Sequence, residues 1–518
     1  MEKVKVISAA EAAALVKDND TITTSGFVAS ALAEELTGAL EERFLQTGTP
    51  KNLTLIYAGS QGNRDGRGGD RFAHEGFLKR AIIGHWNTAA ALVKMAVDNK
   101  IEAYNIPQGT LLHLFRAIAG HKAGVITNVG LETFVDPRNS GGRLNARTTE
   151  DMVEVVTLGG KEQLFYKSFP INIAFIRGTY ADEYGNISFE KEIAPLEGTS
   201  VAQAVKNSGG IVIFQVERIV AGGTLDPRFV KVPGILVDAV VVAEPENQRQ
   251  SLDCPFDAAL SGELKISADN TEPAPLSIRK VIGRRAAMEL TRGCVVNLGV
   301  GIPEFVAAVA EEESFADQIT LTVESGAIGG VPQNGKRFGA AVNADCYWDQ
   351  PYQFDFYDGG GLDMCFLGLA QCNASGDVNV SRFGPRIPGC GGFINISQNS
   401  KKVVFCGTFT AGGLKVDVSE NGLHIIQEGR EKKFIKAVEE ITFSGKYAAE
   451  ASKPVLYITE RAVFELRKDG VYLKEVAPGI DIKTQITDLM GFEPKTDGEV
   501  KLMDSRIFCE EKMGLANK

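Results

Sequence analysis

Residues 319–330 read ITLTVESGAIGG, and residues 53–60 read LTLIYAGS. Each opens with a short run of aliphatic and β-branched residues that suits a buried strand, and each breaks into glycine just past the end of that run. The likeness is one of five that occur in the same order in the two halves of the chain. ITTSGF (22–27) matches VNLGVGI (296–302), and EYGNIS (183–188) matches SGDVNVS (375–381). VKNSGGIVIF (205–214) matches SQNSKKVVFC (397–406), and VAGG (220–223) matches TAGG (410–413). One such match would arise by chance between any two βα segments. Five in order predict two similar domains.

Within each half, apolar strands alternate with amphipathic helices. Residues 21–27 and 53–57 read as strands. A helix is expected from about Ser30, with Leu32, Leu36, Leu40 and Phe44 on one stripe. Residues 89–97 and 110–119 read as further helices, and 235–243 as a strand. Alternation of this kind predicts an α/β fold with largely parallel sheets. The polar, proline-containing text from Glu244 to Pro275 predicts a linker. The expected division is therefore a first domain over 1–245, a linker over 246–275 and a second domain over 276–518.

The chain has 518 residues, 44% hydrophobic and 23% charged, with a formal net charge of -11. That length exceeds a single core. The negative balance argues against nucleic acid as a main partner. The lysines and glutamates of residues 1–20 interrupt any signal-like apolar run, and no stretch elsewhere is long enough to span a membrane. All eight cysteines lie beyond residue 250 with no C-x-x-C pair, which reads as reduced cytoplasmic thiols. The five histidines lack metal-ligand spacing, so no metal is expected.

In the alignment of the halves, Glu324 falls opposite Ala58. The scaffold repeats and the carboxylate does not, which marks Glu324 as functional rather than architectural. A lone glutamate also caps turns, so the local string decides little by itself. The other motifs are glycine turns at strand ends. NLGVGIPE (297–304) delivers Gly299 and Gly301 into a helix near Pro303, and Glu304 stands where a dinucleotide fingerprint needs its third glycine. IPGCGGF (387–393) is expected to be a glycine loop followed by a strand, with exposed N–H groups. NIPQGTL (105–111) puts the Gln108 amide at a strand-to-helix junction. GNRDGRGGD (62–70) lacks the Lys-Ser/Thr of a P-loop and reads as a mobile loop, a candidate lid. No G-x-S-x-G elbow occurs, which argues against a serine hydrolase.

Taken together, SGF at Gly26–Phe27, PQGT at Gln108, NLGVGIP (297–303), ESGAIGG (324–330) and GCGGF (389–393) resemble the family I CoA-transferases over nearly the whole chain, most closely those of short-chain propionate or acetate type. The resemblance implies ping-pong transfer of coenzyme A between a short-chain acyl-CoA and a free carboxylate, with Glu324 as nucleophile and no permanently bound cofactor. Coenzyme A would be substrate and, as a glutamyl thioester, covalent intermediate. It implies an oxyanion site from the Gln108 amide and the N–H groups of Gly391 and Gly392, shaped by Gly26, Phe27, Gly299 and Gly301. A homo-oligomer, dimer or tetramer, is implied as well. Lys336 and Arg337 are the cations considered for the CoA phosphates. With Glu324 in the second half and Gln108 in the first, the site is expected between the domains. An acyl-CoA hydrolase on the same scaffold and a non-catalytic ligand sensor are the alternatives.

Overall fold

The computed structural model describes residues 2–267 and 273–517. The chain forms two compact α/β units. The first comprises Met1–Ile266, Val323–Asp355 and Gly384–Asn395, and the second Ser267–Thr322, Phe356–Phe383 and Ile396–Lys518.

The first unit is built on eight parallel strands in the order Lys5–Val6, Ala239–Val242, Ile211–Val216, Ile173–Arg177, Thr21–Thr24, Leu53–Tyr57, Leu78–Ile83, Glu102–Asn105. The winding reverses between Thr21–Thr24 and Ile173–Arg177: later strands add outward on either side of that pair. In such sheets the crevice beyond the carboxyl ends at the reversal is where ligands bind. Strands covered on both faces need apolar residues on both, and Leu55, Tyr57, Ile83, Phe175 and Ile213 share one core with Trp86 and the helix residues Leu36, Leu40 and Leu92.

In the second unit, neighbouring strands run Thr320–Thr322, Val295–Leu298, Met364–Gly368, Val403–Cys406, Val455–Ile458, Ala462–Arg467, Gly470–Val476, Lys501–Leu502. The first five are parallel. Their order repeats that of Leu53–Tyr57, Thr21–Thr24, Ile173–Arg177, Ile211–Val216 and Ala239–Val242 in the first unit. The similarity extends to a hairpin. Tyr180 pairs with Ser188 and Ala181 with Ile187 in the first unit; Gln371 pairs with Asn379 and Cys372 with Val378 in the second. Asp182 accepts from the N–H groups of Tyr184 and Asn186 and from the Asn186 amide. At the corresponding turn Asn373 accepts from the N–H groups of Ser375 and Asp377 and donates to the Asp377 carboxylate. Acid and amide have exchanged places around the same turn.

Several expectations change. The compact units are not the linear halves, because residues 323–355 and 384–395 pack with the first. Of the expected linker, residues 246–266 belong to the first unit: the Gln250 side chain donates to the Lys191 carbonyl, and the Gln250 carbonyl accepts the Ala31 N–H. Residues 268–272 lie outside the described residues. The first long helix is Glu34–Thr47, four residues later than expected. Residues 235–243 are not one strand. A 3-10 turn at Gly234–Leu236 leaves Ile235 81% exposed, and the strand is Ala239–Val242. IPGCGGF leads into the helix Phe393–Asn399, not a strand, and Ile394 and Ile396 are buried on it. No helix among the described residues is long and apolar enough to cross a membrane.

Candidate active site

Glu324 sits on a tight turn. The Val323 N–H donates to the Ala327 carbonyl at 2.9 Å, and the Gly326 N–H to the Val323 carbonyl at 3.0 Å. The buried Ser325 hydroxyl donates to the Gly339 carbonyl. Gly326 has φ +120°, and any side chain there would collide with the Trp348 carbonyl. The three residues of the ESG string therefore have separate tasks: one presents a carboxylate, one anchors the turn, and one admits the neighbouring strand.

The carboxylate of Glu324 faces Gly392. A Cβ at Gly392 would stand 2.6 Å from Glu324 Oε2 and 3.1 Å from the tip of the Phe354 ring. Only glycine leaves that carboxylate in place. The glycine string is held by Asn105 at the end of a first-unit strand. Its Oδ1 accepts the Cys390 N–H at 2.9 Å, while its Nδ2 donates to the Ile83 and Gly84 carbonyls at 2.9 and 2.6 Å. The Gly391 N–H donates to the Gly84 carbonyl at 2.8 Å, and the Gly391 carbonyl accepts the Gln108 N–H at 2.9 Å. The Gly392 N–H makes no hydrogen bond among the described residues.

Gln108 opens the helix Gln108–Ala119 and is buried, and its Nε2 has no hydrogen-bond partner. A buried donor left without a partner costs about 1–3 kcal/mol, which binding sites recover when ligand arrives. The next residue explains the QG pair. A side chain at Gly109 would strike Phe354 and Asn395, and its N–H donates to Asn395 Oδ1 at 3.1 Å.

The electrostatics are set by burial. Glu324 keeps some accessible surface, yet burial alone raises its pKa to about 7. No hydrogen bond or ion pair reaches its carboxylate among the described residues. His85, beyond the carboxyl end of Leu78–Ile83, lies against Gly391, where a Cβ would be 3.2 Å from its ring. Burial, and secondarily the Arg64 charge, lowers its pKa to about 4, so the ring is neutral at ordinary pH.

Gly26 and Phe27 follow the strand Thr21–Thr24. Gly26 has φ +145° and Phe27 is buried, stacked on Phe338 at 5.9 Å between centroids. Phe338 precedes the Gly339 carbonyl that anchors Ser325, so Phe27 supports the Glu324 turn from below. Glu324, Gln108, Gly391, Gly392, Gly26 and Phe27 thus all belong to the first unit. The expectation that Glu324 belongs with the second half is corrected accordingly: its turn, though late in sequence, packs with the early strands. Gly299 and Gly301 belong to the second unit, beyond the end of Val295–Leu298, where the Gly299 N–H donates to the Phe366 carbonyl at 2.7 Å. Arg337 lies 3.3 Å from Asp257 and 3.7 Å from Asp253, already matched by carboxylates, and Lys336 is exposed. The 62–70 loop is tied at its base: the Gly62 N–H donates to the Val28 carbonyl and the Gly68 N–H to Glu34.

His85, Phe354, Asn105 and Asn395 escaped the sequence reading. His85 and Asn105 stand at or just past strand ends, which is the signal that would have found them. Phe354 and Asn395 declare themselves only through contacts distant in sequence.

A family profile described as Coenzyme A transferase matches residues 6–243. The chain is 46% identical over 513 residues to the acetate CoA-transferase YdiF of Escherichia coli K12, covering 99% of this chain and 96% of that one. It is also 46% identical to the caffeate CoA-transferase of Acetobacterium woodii, covering 99% and 98%. The crystal structure of the acyl-CoA transferase YdiF from E. coli O157:H7 as a thioester complex with CoA superposes with a TM-score of 0.94, at 45% identity, over 99% of this chain and 98% of that one. With likeness of that extent spanning both units, the chain belongs to the coenzyme A transferase family.

Proposed function

We propose that this CoA-transferase moves coenzyme A between short-chain acyl-CoA and free carboxylic acids, of the propionate and acetate size, with Glu324 as the nucleophile. The observation that carries the proposal is the carboxylate of Glu324 held against Gly392 without a cation or donor of its own. Such a group is kept free to react.

Ionised Glu324 attacks the acyl-CoA carbonyl carbon and forms a mixed anhydride, and the CoA thiolate leaves with the thioester electron pair. That thiolate then attacks the glutamyl carbonyl of the anhydride. A glutamyl-CoA thioester forms and the acyl group departs as a carboxylate. An acceptor carboxylate runs the two steps backwards. No ATP is needed, because one thioester replaces another of similar energy. Gln108 Nε2 and the Gly392 N–H are the donors for the oxyanion of each tetrahedral intermediate, and Gly391 sets their spacing. A single such donor is typically worth about 2.7–4 kcal/mol. Positioning of the carboxylate contributes up to about 7–11 kcal/mol more. Gly26 and Phe27 hold the turn, and Gly299 and Gly301 are read as turn residues that shape the site. The family resemblance supports a cytoplasmic homo-oligomer. The relatives' names, acetate and caffeate CoA-transferase, and the thioester complex of the solved relative support the reaction class.

Mass spectrometry after incubation with propionyl-CoA and no acceptor tests this. A CoA adduct is expected on the peptide containing Glu324, and Glu324→Ala is expected to lose adduct and turnover together. An active Glu324→Ala enzyme, or an adduct elsewhere, rejects the mechanism. CoA release from propionyl-CoA should depend strongly on added acetate; release that ignores acetate identifies a hydrolase instead.

A further inference from the structure

Glu197 is a second carboxyl group without a cation. It is 1% exposed, neither oxygen has a hydrogen-bond partner, and burial raises its pKa to about 7. Its surroundings make it more than a stray core acid. It comes after the hairpin of Tyr180–Asp182 and Ile187–Ser188, opens the ten-residue helix Gly198–Asn207, and its carboxyl is near enough to the Gly26 N–H to be held back slightly by it. Gly26 follows Thr21–Thr24. Glu197 therefore sits at the reversal of the first unit's sheet, the place such folds reserve for ligands. Leu196 is held at φ +53°, a left-handed conformation costly for a leucine, and its carbonyl accepts the Gln350 N–H at 2.9 Å.

Gln350 carries the argument to the reactive carboxylate. Its side chain is fully buried, and neither Oε1 nor Nε2 has a partner. It starts the helix Gln350–Asp358, so Phe354 lies one turn on and on the same face. Phe354 is the ring whose tip is 3.1 Å from the Gly392 Cβ position, which itself is 2.6 Å from Glu324 Oε2. Gln350 thus stands on the helix whose Phe354 reaches the Gly392–Glu324 contact, and Glu197 is next to the residue whose carbonyl holds the start of that helix, both within the first unit. Gln353, on the same helix, has an unpartnered Nε2 as well.

We propose that the Glu197 carboxyl and the Gln350 side-chain amide form the subsite that receives the carboxyl group of the acid substrate, an assignment that rests on Glu324 being the nucleophile. The reaction obliges the site to hold an anionic carboxylate beside a buried glutamate. No lysine or arginine contributes to the environment of either glutamate, and Asp349, next to Gln350, is matched by Lys231 at 3.8 Å. An incoming anion must then be met by neutral donors, since a buried charge without partners is prohibitively costly. A carboxyl in its protonated form offers one O–H, and the Gln350 amide two N–H. Neither the carboxyl O–H nor the Gln350 amide N–H has an acceptor among the described residues until a carboxylate supplies its oxygens.

The test is steady-state kinetics with propionyl-CoA as donor and acetate as varied acceptor. In Glu197→Ala and Gln350→Met the KM for acetate is expected to rise at least tenfold, with the KM for propionyl-CoA moving less than threefold. Glu197→Gln, which keeps a neutral donor of the same length, is expected to stay within threefold of wild type for both. If the two side chains are merely satisfied by trapped water, the melting temperature of the variants changes while the acetate KM stays within twofold, and the subsite is rejected. Glu197→Gln folds without a change of volume, and a tenfold rise in its acetate KM would also reject the neutral-donor role. The Glu324 adduct is scored separately in every variant. Its presence with an unchanged acetate KM rejects the subsite alone, and its absence in wild type rejects the nucleophile.

Discussion

At the scale of single residues, the site is governed by two carboxyls with no cation at hand. Burial raises Glu324 from 4.5 to about 7, so its ionised form becomes the majority only above neutrality. The rate of adduct formation from acyl-CoA, measured by quenched-flow mass spectrometry, is expected to rise with pH through about 7 and level off above it. Glu197 has the same shift with a structural sign. Its folded pKa lies above its unfolded one, so the stability it lends is complete below about 4.5 and is lost as pH rises through about 7. The loss is on the order of 3 kcal/mol for such a shift. Glu197→Gln has no proton to lose, so its melting temperature relative to wild type should climb between pH 5 and 8. Gly392→Ala is the sharpest probe of geometry. Its Cβ would force the Glu324 carboxylate aside, and a displacement near 1 Å costs roughly 100-fold in kcat with little change in melting temperature. Glu324 stands out in the sequence because Ala58 takes its place in the other half. Glu197 does not, because PLEG reads as an ordinary helix start and its lack of partners is a property of the packed state.

Elements show why matched strings were informative and unmatched ones less so. The strand Leu53–Tyr57 was read with its true bounds, since both flanks carry clear breakers. The run FINI after Gly392 has strand-like composition yet forms a helix, because Phe393, Ile394 and Ile396 are buried by neighbours no local pattern reveals. The hairpins around Asp182 and Asn373 offer a test of the repeat itself. Asp182→Asn sets one amide against the Asn186 amide and should destabilise by about 1.5–3 kcal/mol, the worth of hydrogen bonds to a charged group. Adding Asn186→Asp reproduces the arrangement at Asn373 and Asp377, and the double variant should regain at least half of that loss in denaturant unfolding.

For the whole molecule, the decisive feature is that the first unit takes in residues 323–355 and 384–395. No sequence pattern announced it, because similarity between halves reports strands alike in sequence and order and says nothing about which segments pack together. A fragment ending at residue 266 lacks the Phe338 ring that covers Phe27, as well as the glycine string held by Asn105. Expressed alone it should bind a hydrophobic dye and melt without cooperativity, and co-expression with residues 267–518 should restore a sharp transition and activity. The same arrangement matters during synthesis. The ribosome releases Gln108 early, yet the walls around it are complete only when residue 395 has emerged, about 130 residues after the first unit's main segment ends. At ~5–20 residues per second that interval lasts on the order of ten seconds. Through it the nascent chain displays an open sheet end that chaperones can hold, and the surroundings of Gln108 are finished only when translation has delivered residue 395.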